Sequence, residues 1–129
     1  MSLGLENLNK IDSIIDLIGN TPLIKLNKFS ELSTEKNIYI KAEWFNPGGS
    51  IKDRAALCMI KEGINAGKLT KEKTIMDSSS GNTAIAYAMI GSALGFKVEL
   101  VTPENINIER KKTLEAYGAK IIYSSPFEG

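Results

Sequence analysis

Histidine is absent from the 129 residues, and cysteine occurs once, at Cys58. The missing histidine removes every Ser-His-Asp or Cys-His arrangement, and with one cysteine no zinc centre of the usual Cys/His kind can form. No metal site is expected. A lone cysteine forms no internal disulfide, and its neighbours Leu57, Met59 and Ile60 on a predicted helix point to a buried structural thiol rather than a nucleophile. Any chemistry falls to Lys, Asp, Glu, Tyr or a cofactor.

Long apolar runs are missing too. The most apolar stretch, "AIAYAMIGSALGF", is too short and too rich in Gly and Ser to span a bilayer, and the opening residues lack the basic start and apolar core of a signal peptide. A cytoplasmic protein without membrane contact is expected. Charge of one sign is equally scarce: the net charge is +1, and the one dense basic run, Arg110-Lys111-Lys112, reads as a solvated helix face. Nucleic acid is therefore not an expected partner. Neither "GxGxxG" nor "GxxxxGK[ST]" occurs, which removes the dinucleotide fingerprint and the P-loop.

What remains is ordinary globular composition, 43% hydrophobic and 24% charged, enough for one modest core. Leu8, Ile11, Ile14, Ile15 and Ile18 recur at helical spacing and predict a leading helix that ends at Gly19. Two short strands follow, in "NTPLIKLNKF" and "NIYIKAEWF"; in the second, Ile38, Ile40 and Ala42 point one way, and Tyr39, Lys41 and Glu43 the other. A helix is predicted from about Ser50 to Ala66, closed by Gly67. Strand "KTIMD", helix "TAIAYAMIGSAL", strand "KVELV", helix "IERKKTLEAY" and strand "AKIIYSS" then alternate, with a glycine after each helix. That order predicts an α/β fold, a parallel sheet with flanking helices built from βαβ units. The last strand has no helix behind it, so one sheet face is expected to be covered by another chain or by a longer sequence.

Two loops carry the candidate chemistry. In "NPGGSIKDRAALCMI", Asn46 to Gly49 signal a turn, and Ser50 with Asp53 has the form of a capping box. Capping explains Ser50 and Asp53 but not Lys52, a cation in the first helical turn. There the helix dipole opposes it by a few tenths to about 1 kcal/mol, and is expected to lower the amine's pKa. A lowered pKa suits an amine that attacks a carbonyl or serves as a base. The second loop is "DSSSGNTAIAYA", between a strand and a helix. Ser79, Ser80, Gly81, Asn82 and Thr83, with Ser78 before them, offer hydroxyl, amide and backbone N–H donors sized for a carboxylate or phosphate. Its plainer reading is a Ser/Asn turn with a surplus of caps. Small residues on the following helix, Ala84, Ala86, Ala88, Gly91, Ser92 and Ala93, allow close approach to the sheet.

"IGNTPLIKLN", "EWFNPGGSIKDRAA", "SSGNTAIAYA" and "PENINIERKKTLEAYGAKI", in this order and spacing, resemble the front part of cysteine synthase and cystathionine β-synthase, from about Ile18 onward. These are pyridoxal-phosphate enzymes of the tryptophan-synthase-β fold type. The resemblance implies an incomplete three-layer βαβ domain: residues 1–45 would join a larger domain, and 46–129 would form a small, mobile α/β domain. It implies that Lys52 holds pyridoxal phosphate and later moves protons at the substrate's α-carbon. Ser79, Ser80, Gly81, Asn82 and Thr83 would grip the carboxylate of an amino-acid substrate, O-acetylserine or serine. Asn82 would also face the cofactor's ring oxygen. The reaction implied is β-replacement, loss of the β-substituent followed by addition of sulfide or a thiol.

The chain departs from the family pattern at Ser78, usually proline, at Ser79, commonly threonine, and at Ala84, usually glycine, whose methyl is expected beside the grip. It also contains no glycine-rich loop for the cofactor phosphate and no residue for the pyridine nitrogen, so little or no activity is expected of it alone. A homodimer, or association through the exposed sheet face, is the expected assembly. Two other readings stand beside this one. One is a non-catalytic or truncated module that pairs with another subunit; the other is a dehydratase or diaminopropionate-forming enzyme of the same fold type.

Overall fold

The computed structural model describes residues 11–27 and 37–125. Strands β1 (Leu23–Lys25) and β2 (Tyr39–Lys41) pair antiparallel, with Ile24 opposite Ile40. Helix α1 (Lys52–Asn65) follows. Then β3 (Thr74–Ser78), α2 (Asn82–Ala93), β4 (Lys97–Pro103), α3 (Ile108–Ala116) and β5 (Lys120–Ser124) alternate as the sequence pattern requires. The three later strands form one parallel sheet in the order β3-β4-β5, with Ile75 beside Val98 and Leu100 beside Ile121. This is the expected α/β class. Helices α1, α2 and α3 are each followed by a predicted glycine terminator in left-handed conformation: Gly67, Gly95 and Gly118, with φ of 66°, 70° and 79°.

Helix α2 is the centre of the packing, touching α1, α3, β3 and β4. Its buried residues, Ala84, Ala86, Ala88, Met89, Ile90 and Gly91, run around the whole cylinder rather than along one stripe. Met89 and Ile90 are almost fully buried, and each such side chain contributes about 1.5–3 kcal/mol of hydrophobic stabilisation. The small residues do permit close approach: a methyl at Gly91 would stand 2.3 Å from Cγ2 of Val98 on β4. Because α2 and α3 touch each other, both cover the same sheet face, the one carrying Ile75, Val98, Leu100 and Ile121. Strand alternation turns Met76, Glu99, Val101, Lys120 and Ile122 to the other face. There Met76 is 61% exposed, and Lys120 pairs with Glu99 at 3.0 Å.

Three expectations need correction. Among the described residues the leading helix is a single 3₁₀ turn, Ile14–Leu17, started by the Ser13 hydroxyl accepting from the Ile15 N–H; Leu8 lies outside the described residues. Ile18 is extended, and the chain turns at Gly19 and Asn20, both with positive φ. The β-branched run lowers helix propensity just where that turn is needed. Strand β2 buries neither side: Ile38 and Ile40 are exposed, and only Ala42 is covered. Its tail, Glu43–Phe45, leaves the strand as a 3₁₀ turn. Finally, Cys58 is exposed. Helix α1 buries Asp53, Ala56 and Ile60, and a residue two places past Ala56 lies about 200° round the helix, on its open side.

Candidate active site

Lys52 opens α1, directly after Ile51, whose backbone is already helical. Its N–H donates to Ser50 Oγ at 3.1 Å, so the serine does cap the start. The Lys52 side chain is exposed, and no hydrogen bond or ion pair engages its ammonium among the described residues.

Asp53 does not complete the capping box. Its carboxylate is fully buried and turns back under the preceding loop, where Oδ2 accepts from the Gly48 N–H at 2.6 Å. The Asp53 side chain is taken up by the Gly48 N–H beneath the loop and makes no bond back to the Ser50 N–H. Its other oxygen, Oδ1, has no partner among the described residues, and burial pushes the Asp53 pKa up. A methyl at Gly48 would stand 2.3 Å from that oxygen, so the carboxylate occupies the space a side chain at 48 would need.

Arg54 reaches the opposite way. Its Nε donates to Glu43 Oε2 at 2.8 Å and its Nη2 to Glu43 Oε1 at 3.1 Å, a two-pronged fork. Nη2 also donates to Thr21 Oγ1 at 3.2 Å, and that hydroxyl donates to Glu43 Oε1 at 2.9 Å. Lys41 Nζ donates to the Thr21 carbonyl and hydroxyl. Asn46, 3% exposed, donates to the Glu43 carbonyl and to Oε2, both at 2.8 Å, while its Oδ1 accepts from the Gly19 N–H at 2.8 Å. The turn after Ile18, the end of β2 and the first turn of α1 are thereby tied into one polar knot. Sequence reasoning missed it, although Thr21 and Arg54 lie within the quoted motifs.

Glu43 feels this knot most. The hydrogen bond from Arg54, outweighing a smaller desolvation effect and helped by Thr21 and Asn46, lowers its pKa from 4.5 to about 2. A depressed carboxyl stabilises the fold when ionised, above its unfolded pKa, and the gain is lost as pH falls through the folded value. Thermal melts should therefore show stability declining between pH 4.5 and about 2, with Glu43→Gln flattening that decline. Asp53 runs the other way: its raised pKa favours the protonated fold, a contribution lost as pH rises through the folded value. Its slope persists in the Glu43 variant.

Ser79, Ser80 and Gly81 form the loop at the carboxyl end of β3, where α/β sheets hold ligands, and Asn82 and Thr83 open α2 directly after it. The Ser79 N–H extends the ladder to the Val101 carbonyl at 3.1 Å, and Ser79 Oγ accepts from the Gly81 N–H at 3.4 Å. No side chain caps α2, and the N–H groups of Asn82, Thr83 and Ala84 have no partner among the described residues. Unpaired donors at the positive end of a helix dipole fit an anion. Asn82 is exposed, and a methyl at Gly81 would meet nothing within 4 Å, so the loop is open to a ligand. Ala84 is fully buried in the core cluster, so its methyl lies in the packing rather than in the loop. Helix α1 packs on α2, but no hydrogen bond or ion pair joins Lys52 to the loop.

An unengaged amine on one helix start and a set of unengaged anion donors on another are the donor chemistry that a carbonyl cofactor and an amino-acid carboxylate require, so the residues present fit pyridoxal phosphate. A family model for pyridoxal-phosphate dependent enzymes matches residues 14–129, and the chain belongs to that family. It is 45% identical over 120 residues to a cysteine synthase of Aquifex aeolicus, covering 92% of this chain and 37% of that protein. A cysteine synthase of a Flavobacterium is 43% identical over 120 residues, covering 93% and 38%. Among solved structures, a cysteine synthase from Entamoeba histolytica superposes with a TM-score of 0.88 at 32% identity, covering 100% of this chain and 39% of that one. An O-ureido-L-serine synthase gives 0.85 at 37% identity, covering 93% and 37%. The chain thus spans little more than a third of the length of these relatives. Among the described residues no helix is long and apolar enough to cross a membrane, and no cluster of ligating side chains suits a metal.

Proposed function

We propose that this chain supplies the cofactor lysine and the carboxylate grip of a cysteine-synthase-like site that performs β-replacement on O-acetylserine or serine. The observation that carries the reading is the start of α2, where the amides of Asn82, Thr83 and Ala84 stand unpaired among the described residues behind a hydroxyl-rich loop. When bound, pyridoxal phosphate supplies the electron sink at the substrate's α-carbon. The chain's own residues bind and orient. Ser79, Ser80, Gly81, Asn82 and Thr83 hold the amino-acid carboxylate, Asn82 also faces the cofactor ring, and Lys52 carries the cofactor and then exchanges the α-proton.

In this reading residues 46–129 are the small α/β domain, and residues up to 45 belong with a larger one. Leu23 at 63% exposure and Tyr39 at 50%, on a two-stranded sheet whose residues are all exposed, support that division. The uncovered face of the β3-β4-β5 sheet supports pairing, as a homodimer or with another subunit, which is also what a non-catalytic module would use. Adding pyridoxal phosphate and reducing with borohydride should fix an adduct on Lys52 ahead of the other exposed lysines. Turnover of O-acetylserine with sulfide should be slight without the phosphate-binding loop. An adduct spread over lysines in proportion to exposure overturns the assignment of Lys52 and favours the non-catalytic module.

A further inference from the structure

Two side chains directly after Lys52 pull in opposite directions on the loop that presents it. Asp53 ties the Gly48 N–H from beneath at 2.6 Å. Arg54 forks Glu43 and, through Thr21 and Asn46, fastens the first turn of α1 to the turn after Ile18. An exposed lysine has about four rotatable side-chain bonds, and Lys52 has no partner for its ammonium among the described residues, so the placement of its amine rests on the backbone that carries it. We propose that Arg54 is a positioning residue for Lys52, acting through its fork with Glu43 to hold the start of α1 at one place and angle. The proposal rests on Lys52 being the cofactor lysine.

The geometry makes the fork the suitable element. Guanidinium and carboxylate meet through two hydrogen bonds, which fix orientation as well as distance, something a single lysine-type contact does not do. Glu43 also accepts from Thr21 and Asn46, so the carboxylate cannot swing to follow Arg54. The backbone is held at Gly19 as well, whose N–H is taken by Asn46. Arg54→Lys keeps the charge and loses the fork. Glu43→Gln keeps the shape and loses the ionic half of both bonds.

The test compares the unaltered chain with Arg54→Lys, Glu43→Gln and the double variant. Three quantities are measured: fixation of pyridoxal phosphate on Lys52 by borohydride, the acylation rate of Lys52 by a small anhydride, and amide exchange at Gly19 and Gly48. Circular dichroism and melting temperature report the fold separately. Displacing the helix start by an ångström should cut Lys52 fixation by about tenfold or more. Acylation of Lys52 should change while that of Lys61 and Lys68 stays level, and exchange at Gly19 should rise. The double variant should be no worse than either single one, because both remove one interaction. Unchanged fixation and acylation at Lys52 in folded variants overturns the proposal. So does a fall in Lys52 acylation matched at every other lysine, the mark of general loosening. If Lys52 takes up no pyridoxal phosphate preferentially even in the unaltered chain, while its acylation still responds to both variants, the cofactor assignment fails and the positioning stands. Should Arg54→Lys fail to fold, Glu43→Gln and Thr21→Val read the same coupling from the other side of the fork.

Discussion

Replacing Lys52 by glutamate is expected to leave the chain slightly more stable and to abolish fixation of pyridoxal phosphate at that position. The two effects have separate causes. Lys52 is exposed, and its ammonium has no hydrogen bond or ion pair among the described residues, so its removal breaks neither. It does relieve the helix of a cation at its positive end, and glutamate there adds a favourable charge, worth together about 0.5–1 kcal/mol at low ionic strength. The gain should shrink with added salt. Denaturant titration at two salt concentrations, run beside borohydride fixation and peptide mapping, measures both. A destabilised variant would mean that Lys52 contributes to the fold, and persistent labelling at the same peptide would mean that another amine takes the cofactor.

The adjacent glycines 48 and 49 should respond to alanine in very different ways. At Gly49 a methyl meets nothing within 4 Å, and the difficulty is only the left-handed backbone, φ 81°. Alanine there should cost about 1 kcal/mol. At Gly48 the methyl would lie 2.3 Å from Oδ1 and 2.9 Å from Cγ of Asp53. That carboxylate is fully buried and has no space to retreat without breaking its bond to the Gly48 N–H. Overpacking and the loss of a charge-assisted hydrogen bond in the interior together should cost about 3 kcal/mol or more. Urea unfolding of the two variants distinguishes them, and equal losses would mean that Asp53 yields easily. The companion variant Asp53→Ala should make room for the methyl, so that Gly48→Ala costs less in that background than alone.

Much of the fold is legible without coordinates. The alternation of strands and helices from Thr74 onward, the glycines after α1, α2 and α3 and the small residues of α2 all follow from local rules: periodicity, left-handed terminators, side-chain volume. So do the two functional candidates, because a lysine in a first helical turn and a hydroxyl-rich loop ahead of a helix are local anomalies that need no partner to be noticed. The leading segment is where local rules fall short. Its spacing is helical, but the chain reverses at Gly19 and Asn20, where the distant Asn46 takes the Gly19 N–H.

The sequence by itself determined where α1, α2 and α3 end, at Gly67, Gly95 and Gly118, and which side chains are chemically out of place: Lys52 and the run from Ser79 to Thr83. Only the tertiary structure decided that Cys58 is exposed, that Asp53 is buried beneath Gly48 rather than capping with Ser50, and that Glu43, Arg54, Thr21 and Asn46 form one knot. The reason is range. Arg54 meets Glu43 across 11 residues and Thr21 across 33, and Gly19 meets Asn46 across 27. At such separations no periodicity links the partners, and which polar group is buried, and against what, depends on how whole elements pack.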